Sequence, residues 1–110
     1  MDIGVISVRY ARALLKAAAG AGQEDKVYHE MQTLTKSFIE VSGLRFTIDN
    51  PMLSKDKKKE LIITACGGSV SEIVASFIAL VLKGDRENVL QFIANSYITL
   101  YRQHKNIIRG

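Results

Sequence analysis

The chain has 110 residues, 47% of them apolar and 24% charged, which excludes wholesale disorder and fits one globular domain. A single cysteine, Cys66, excludes an intrachain disulfide framework and points to a reducing compartment. The net charge of +4 is uneven: residues 1–50 hold six groups of each sign, residues 51–110 nine basic and five acidic, a mild field beside the basic stripes of dedicated nucleic-acid binders.

In chain order, the first predicted helix runs from about Ile6 to Ala19 and stops at Gly20-Ala21-Gly22, where glycine lets the backbone turn. The second has Glu24 and Asp25 in its first turn, where the helix dipole favours carboxylates. Its apolar positions Val27, Met31, Leu34, Phe38 and Val41 fall at helical spacing, leaving Glu30, Lys36 and Glu40 for water. Leu44 to Ile48 makes one helical turn before the sole proline. A fourth helix follows Asn50-Pro51 with Ser54 as N-cap and ends at Gly67-Gly68. The fifth starts at Ser69, with Glu72 completing a capping box, and runs to Gly84. The last carries Leu90, Ile93, Ala94, Tyr97, Leu100, Tyr101 and His104 on one stripe, with Asp85 as N-cap and Gly110 just past its end.

No alternating strand with a hairpin turn appears. The expectation is an all-α, compact six-helix bundle, five helices plus one short helical turn, forming a single domain over residues 1–110. No apolar run approaches eighteen residues and no secretory signal opens the chain at Met1-Asp2-Ile3-Gly4, so no direct membrane insertion is expected. The apolar pair Ile107-Ile108 at the close reads as a longer polypeptide cut short.

Catalytic chemistry is not in view. His29 and His104 stand alone, on the surface and at an amphipathic edge, so neither metal nor cofactor is expected. Cys66 reads as a small buried hydrophobe and Gly67-Gly68 as a helix stop without a phosphate-loop lysine. Carboxylates fall singly on polar faces, with none on an apolar face suited to acid–base work. The run Lys55-Asp56-Lys57-Lys58-Lys59 reads as a solvated face, since no aromatic residues interleave to stack bases.

The anomaly is that two helices are too apolar. On the first, Ala11, Leu14, Leu15 and Ala18 suffice to face a core, and Arg9, Arg12 and Lys16 occupy one strip. That leaves a second stripe, Ile6, Tyr10, Ala13 and Ala17. On the fifth, ten of fourteen residues from Val70 to Lys83 are apolar; Val70, Val74, Phe77, Ile78 and Val81 form the core set, while Ile73 and Leu80 lie beside the polar strip of Glu72, Ser76 and Lys83. A surface helix needs one apolar stripe. Either both helices are central in the bundle, or they line a shared groove for an amphipathic partner helix. Periodicity does not separate the two.

The segment Ser7-Val8-Arg9-Tyr10-Ala11-Arg12-Ala13-Leu14-Leu15 resembles the opening "YA-x-AL" helix of the F-type ATP synthase delta subunit family, which includes the mitochondrial oligomycin-sensitivity-conferring protein. The resemblance continues through Asn50-Pro51-Met52-Leu53-Ser54, the Lys-rich stretch from Lys57 to Leu61, and Phe77-Ile78-Ala79-Leu80-Val81-Leu82-Lys83 with Arg86. It closes on Leu90, Ile93, Tyr97 and Leu100. It implies a six-helix N-terminal domain of a non-catalytic peripheral-stalk subunit. Such a domain clamps the N-terminal helix of an alpha subunit between its first and fifth helices, so that the catalytic head does not co-rotate. The implied groove residues are Tyr10, Ala13 and Leu80, to which the helical wheel adds Ile6, Ala17, Ile73 and Phe77. The implied place is the cytoplasmic side of a bacterial inner membrane.

Two departures stand out. The family commonly has Gly-Arg where this chain has Gly84-Asp85-Arg86. The family also carries a C-terminal region through which it meets the stalk b subunits, and the chain reads as the N-terminal domain without that region. The competing readings are a small basic α-helical RNA-binding module resting on Lys55, Lys57, Lys58, Lys59 and Arg86, and a homodimerising bundle.

Overall fold

Six α-helices and one 3-10 turn make up the computed structural model, which describes the backbone of residues 3–109 and the side chains of residues 4–106. They are α1 (Ile3–Gly20), α2 (Glu24–Glu40), α3 (Leu44–Asp49), α4 (Lys55–Ala65), α5 (Glu72–Lys83), the turn Glu87–Val89 and α6 (Leu90–Arg109). No strand occurs among the described residues. Gly110, the side chains of Ile107 and Ile108, and the opening Met1-Asp2 lie outside them.

Three helices end in the same way. At the end of α1, Gly22 sits at φ +69°, with its N–H donating to the Ala19 carbonyl and the Gln23 N–H to that of Ala18. At the end of α4, Gly67 sits at φ +117°, and the N–H groups of Gly67 and Gly68 go back to the carbonyls of Thr64 and Ile63. Each satisfies the last turn's orphan carbonyls through positive-φ glycine, Gly22 alone on α1 and Gly67 with Gly68 on α4, where glycine has no Cβ penalty. The third closure, on α5, places Asp85 at φ +57°, its N–H donating to Leu82 and that of Arg86 to Val81. Asp85 therefore closes α5 and does not cap the last helix, as the sequence suggested. The chain enters α6 through the turn Glu87–Val89, preceded by Arg86 with no side-chain cap.

Asp85→Gly is accordingly expected to stabilise the domain by about 0.5 kcal/mol. It relieves left-handed strain of roughly 1 kcal/mol and removes a carboxylate from a helix C-terminus. Against this stands only an exposed 3.0 Å pair with Lys55, worth little. A urea melt with unchanged m reads the sign.

The N-termini follow local chemistry with one shift. Ser54 caps α4 by accepting from the Lys57 N–H, as its position suggested. Ser71, not Ser69, caps α5, accepting from the Val74 N–H. The cause lies in α2: the Glu30 carboxylate accepts from the Ser71 N–H at 2.7 Å and from its Oγ at 2.9 Å. Glu30, expected in water, is buried. It places a negative charge at the N-terminus of α5, where the dipole favours it.

α1 and α2 both pack chiefly on α6, while α5 lies against α4 and α1. The core is formed by Ala11, Leu14 and Ala18 of α1, Val27, Met31 and Leu34 of α2, Val74, Ile78 and Val81 of α5, and Leu90, Ile93 and Tyr97 of α6. Leu15, Phe38 and Val70, assigned to core faces, are half-buried. Val41, assigned to the α2 face, is 54% exposed because the helix stops at Glu40 and Val41 turns into extended backbone.

Tyr97 donates to the Glu24 carbonyl, Tyr101 donates to the Asp25 carboxylate, and the Tyr28 and Tyr101 rings stack 4.0 Å apart, so α6 is tied to the start of α2. These contacts are expected to make the fold sensitive to alkali. Burial raises the Tyr97 hydroxyl above its ordinary value of 10. The bond to Asp25 pushes Tyr101 up to about 12, and burial, with Glu30 nearby, pushes the Cys66 thiol up to about 12. The folded state thus keeps protons that the unfolded chain releases from about pH 9 upward. Stability is expected to be full below pH 9 and to fall as pH rises toward 12; denaturant melts across that range test it.

Ser7 is 1% exposed on α1 and its Oγ has no hydrogen-bond partner. Ser7→Ala removes that unmet desolvation cost and improves helix propensity, so a gain of about 1 kcal/mol is expected, seen as a Tm several degrees higher.

A candidate partner groove between α1 and α5

Beside the core stripe of each helix, the structure opens a groove of about 640 Å3 between α1 and α5. Ala13 and Ala17 form the α1 wall, Ile73 and Leu80 the α5 wall, and Leu14 and Phe77 the floor. Ala13 and Ala17 are exposed, Ile73 is half-buried and Leu80 is 53% exposed. Such apolar exposure along matching faces of two helices is the form that receives an amphipathic helix. The alanines keep the α1 wall low, so a guest backbone can approach closely. One end is polar, lined by Gln23 and Lys26 of the α1–α2 corner and by Glu72 at the start of α5.

Of the seven residues singled out from sequence, the groove gathers Ala13, Ala17, Ile73, Phe77 and Leu80. Ile6 and Tyr10 are not among its lining residues; both are half-buried against the core. Tyr10 meets the Phe77 ring edge-on, centroids 6.2 Å apart at 74°, which holds Phe77 in the floor. A Cβ at Gly84 would come within 3.1 Å of the Tyr10 hydroxyl, so glycine there gives Tyr10 its room. The polar end is not legible from the periodicity of α1 and α5, because Lys26 and Gln23 belong to another helix and its cap.

The Lys-rich run is not an open cationic face. Lys58, expected to be solvated, is buried and donates to Glu87 Oε2 at 2.7 Å, while Lys55 pairs with Asp85 and Lys57 with Glu60 at 3.8 Å. Three of the four lysines are thus engaged with carboxylates, which leaves little for a phosphate backbone. Cys66 lies in the core with its thiol pushed up to about 12, the opposite of an activated nucleophile. Among the described residues no His, Cys, Asp and Glu group could hold a metal ion, and no helix is long and apolar enough to cross a membrane.

The family profile described as ATP synthase delta (OSCP) subunit matches residues 6–110. An ATP synthase subunit delta of Phocaeicola vulgatus is 50% identical, over 100% of this chain and 60% of its own length. One from Bacteroides fragilis is 46% identical over 97% of this chain and 59% of its own, and one from Bdellovibrio bacteriovorus 33% identical over 100% and 61%. The chain thus spans about three-fifths of the length of these relatives. With a family match over nearly its whole length and relatives at half identity, this six-helix chain belongs to the ATP synthase delta (OSCP) subunit family.

Proposed function

We propose that the chain is the N-terminal helical domain of a peripheral-stalk subunit of a rotary ATP synthase, and that it clamps the N-terminal helix of an alpha subunit in the α1–α5 groove. The observation that carries the reading is the apolar groove itself, built from the second stripes of two helices that a self-sufficient bundle does not need. In this reading the domain is not catalytic. Rotation of a central shaft puts torque on the catalytic head, and the head must be held still for that torque to do chemical work. The clamp supplies part of the restraint by burying apolar side chains of the guest on Phe77, Ile73 and Leu80, with the low walls at Ala13 and Ala17 excluding water. Contact with the stalk's b subunits falls to a further region of the subunit, and the assembly sits on the cytoplasmic side of a bacterial inner membrane.

The test is a titration of the isotopically labelled domain with a peptide from the N-terminus of the cognate alpha subunit, followed by amide shifts. Saturable shifts confined to residues 13–17 and 72–80, persisting at high salt, support the clamp. Absence of shifts at millimolar peptide overturns the clamp and leaves the groove an apolar surface with no alpha-subunit guest.

A further inference from the structure

The two rims of the groove differ in charge. Arg9, Arg12 and Lys16 are all exposed on α1, and none pairs with a carboxylate among the described residues. They surround a shallow hollow of about 680 Å3 floored by Val5 and Val8, and this hollow shares Ala13 with the groove. Ala13 is therefore the ridge between the groove and the cationic strip. At 100° per residue, Arg9 and Lys16 lie ~40° and ~60° around the helix from Ala13, on the side away from Ala17. They flank the groove directly, ~10 Å apart along the axis. Arg12 is farther round. The α5 rim carries Glu72, Ser76 and Lys83, one charge of each sign at opposite ends of the helix.

We infer that the groove selects an acidic amphipathic helix, its carboxylates lying two turns apart along the flank over Arg9 and Lys16. This rests on the helix-in-groove reading and adds what that reading leaves open, the charge of the guest and the way it is rolled about its own axis. An apolar floor grips any helix with a suitable stripe; only the cationic α1 rim gives one flank a preference. Exposed pairs of this kind are individually weak and screened by salt, so they act on encounter and on partner choice more than on grip.

The probes are three synthetic helical peptides with one apolar face, bearing two glutamates, two glutamines or two lysines seven residues apart on one flank. Affinities are measured for the full domain at 50 and 500 mM NaCl. The glutamate peptide is expected to bind about tenfold tighter than the glutamine peptide and about 100-fold tighter than the lysine peptide at low salt, with the spread collapsing at high salt. The double variant Arg9→Glu/Lys16→Glu reverses the order. Lys83→Glu, on the other rim, moves it by less than threefold. Circular dichroism confirms that each variant is folded, as substitutions at exposed helix positions should leave it. Equal affinities for the three peptides, or an equal effect from Lys83→Glu, overturn the inference while leaving the clamp intact. Failure of all three to bind removes the clamp reading and this inference together.

Discussion

Lys58→Met is expected to destabilise the domain by about 3 kcal/mol, lowering the thermal midpoint by roughly 10 °C. The Lys58 and Glu87 side chains are only 6% and 11% exposed, and their atoms meet at 2.7 Å. Glu87 Oε1 is buried with no partner, so Lys58 is the support its carboxylate has. Removing the ammonium strands a charge away from water, which costs far more than the pair itself contributes. The double variant Lys58→Met/Glu87→Leu removes both charges and is expected to return to within about 1 kcal/mol of the parent. Urea unfolding of the two variants checks the pair. A single variant no weaker than 0.5 kcal/mol below the parent would show that water relaxes around Glu87. The contact matters because it pins α4 to the connection between α5 and α6, next to the Asp85 closure.

Ala13→Glu is expected to separate binding from folding. Ala13 is exposed on the groove wall, and a glutamate there has Arg9 one turn before it and Lys16 one turn after. Stability should stay within about 0.5 kcal/mol of the parent. Affinity for an alpha-subunit helix should fall at least 100-fold, roughly 3 kcal/mol, because the carboxylate must be desolvated against an apolar guest. Leu80→Glu on the opposite wall should give the same result without altering the α1 rim, which distinguishes blockage of the groove from a change in rim charge. Calorimetric titration and thermal melts on the same samples read both quantities. A variant that loses stability in step with affinity would show that the loss of binding follows from unfolding and not from blockage of the groove.

Periodicity made most of the architecture legible. The stripe Val27, Met31, Leu34 placed α2, the glycines at Gly22 and Gly67 ended α1 and α4, and surplus apolar surface on α1 and α5 marked the groove walls. What escaped were polar residues whose partners are distant in sequence. Glu30 is buried because Ser71, 41 residues on, needs an acceptor, and Lys58 because Glu87 lies 29 residues on. Spacing says which way a side chain points, not whether a partner meets it there. Asp85 was misassigned for a related reason: aspartate is a good N-cap and also tolerates the left-handed region, and only the preceding helix's closure decides between them. Tyr10 and Ile6 lie on the same stripe as Ala13 and Ala17, yet both pack against the core, Tyr10 edge-on to Phe77.

The groove's walls are contributed by segments more than fifty residues apart, and α1 rests mainly on α6, the last of the described helices. Neither wall makes a groove by itself as it leaves the ribosome. At synthesis rates of ~5–20 residues per second, α1 waits several seconds for the helix it sits on. The long-range contacts that set the spacing of the walls are also the ones whose closure comes late. In the proposed clamp, capture of a guest helix therefore requires that α1, α5 and α6 have all been made and docked, and a copy truncated before α6 has no formed groove to offer.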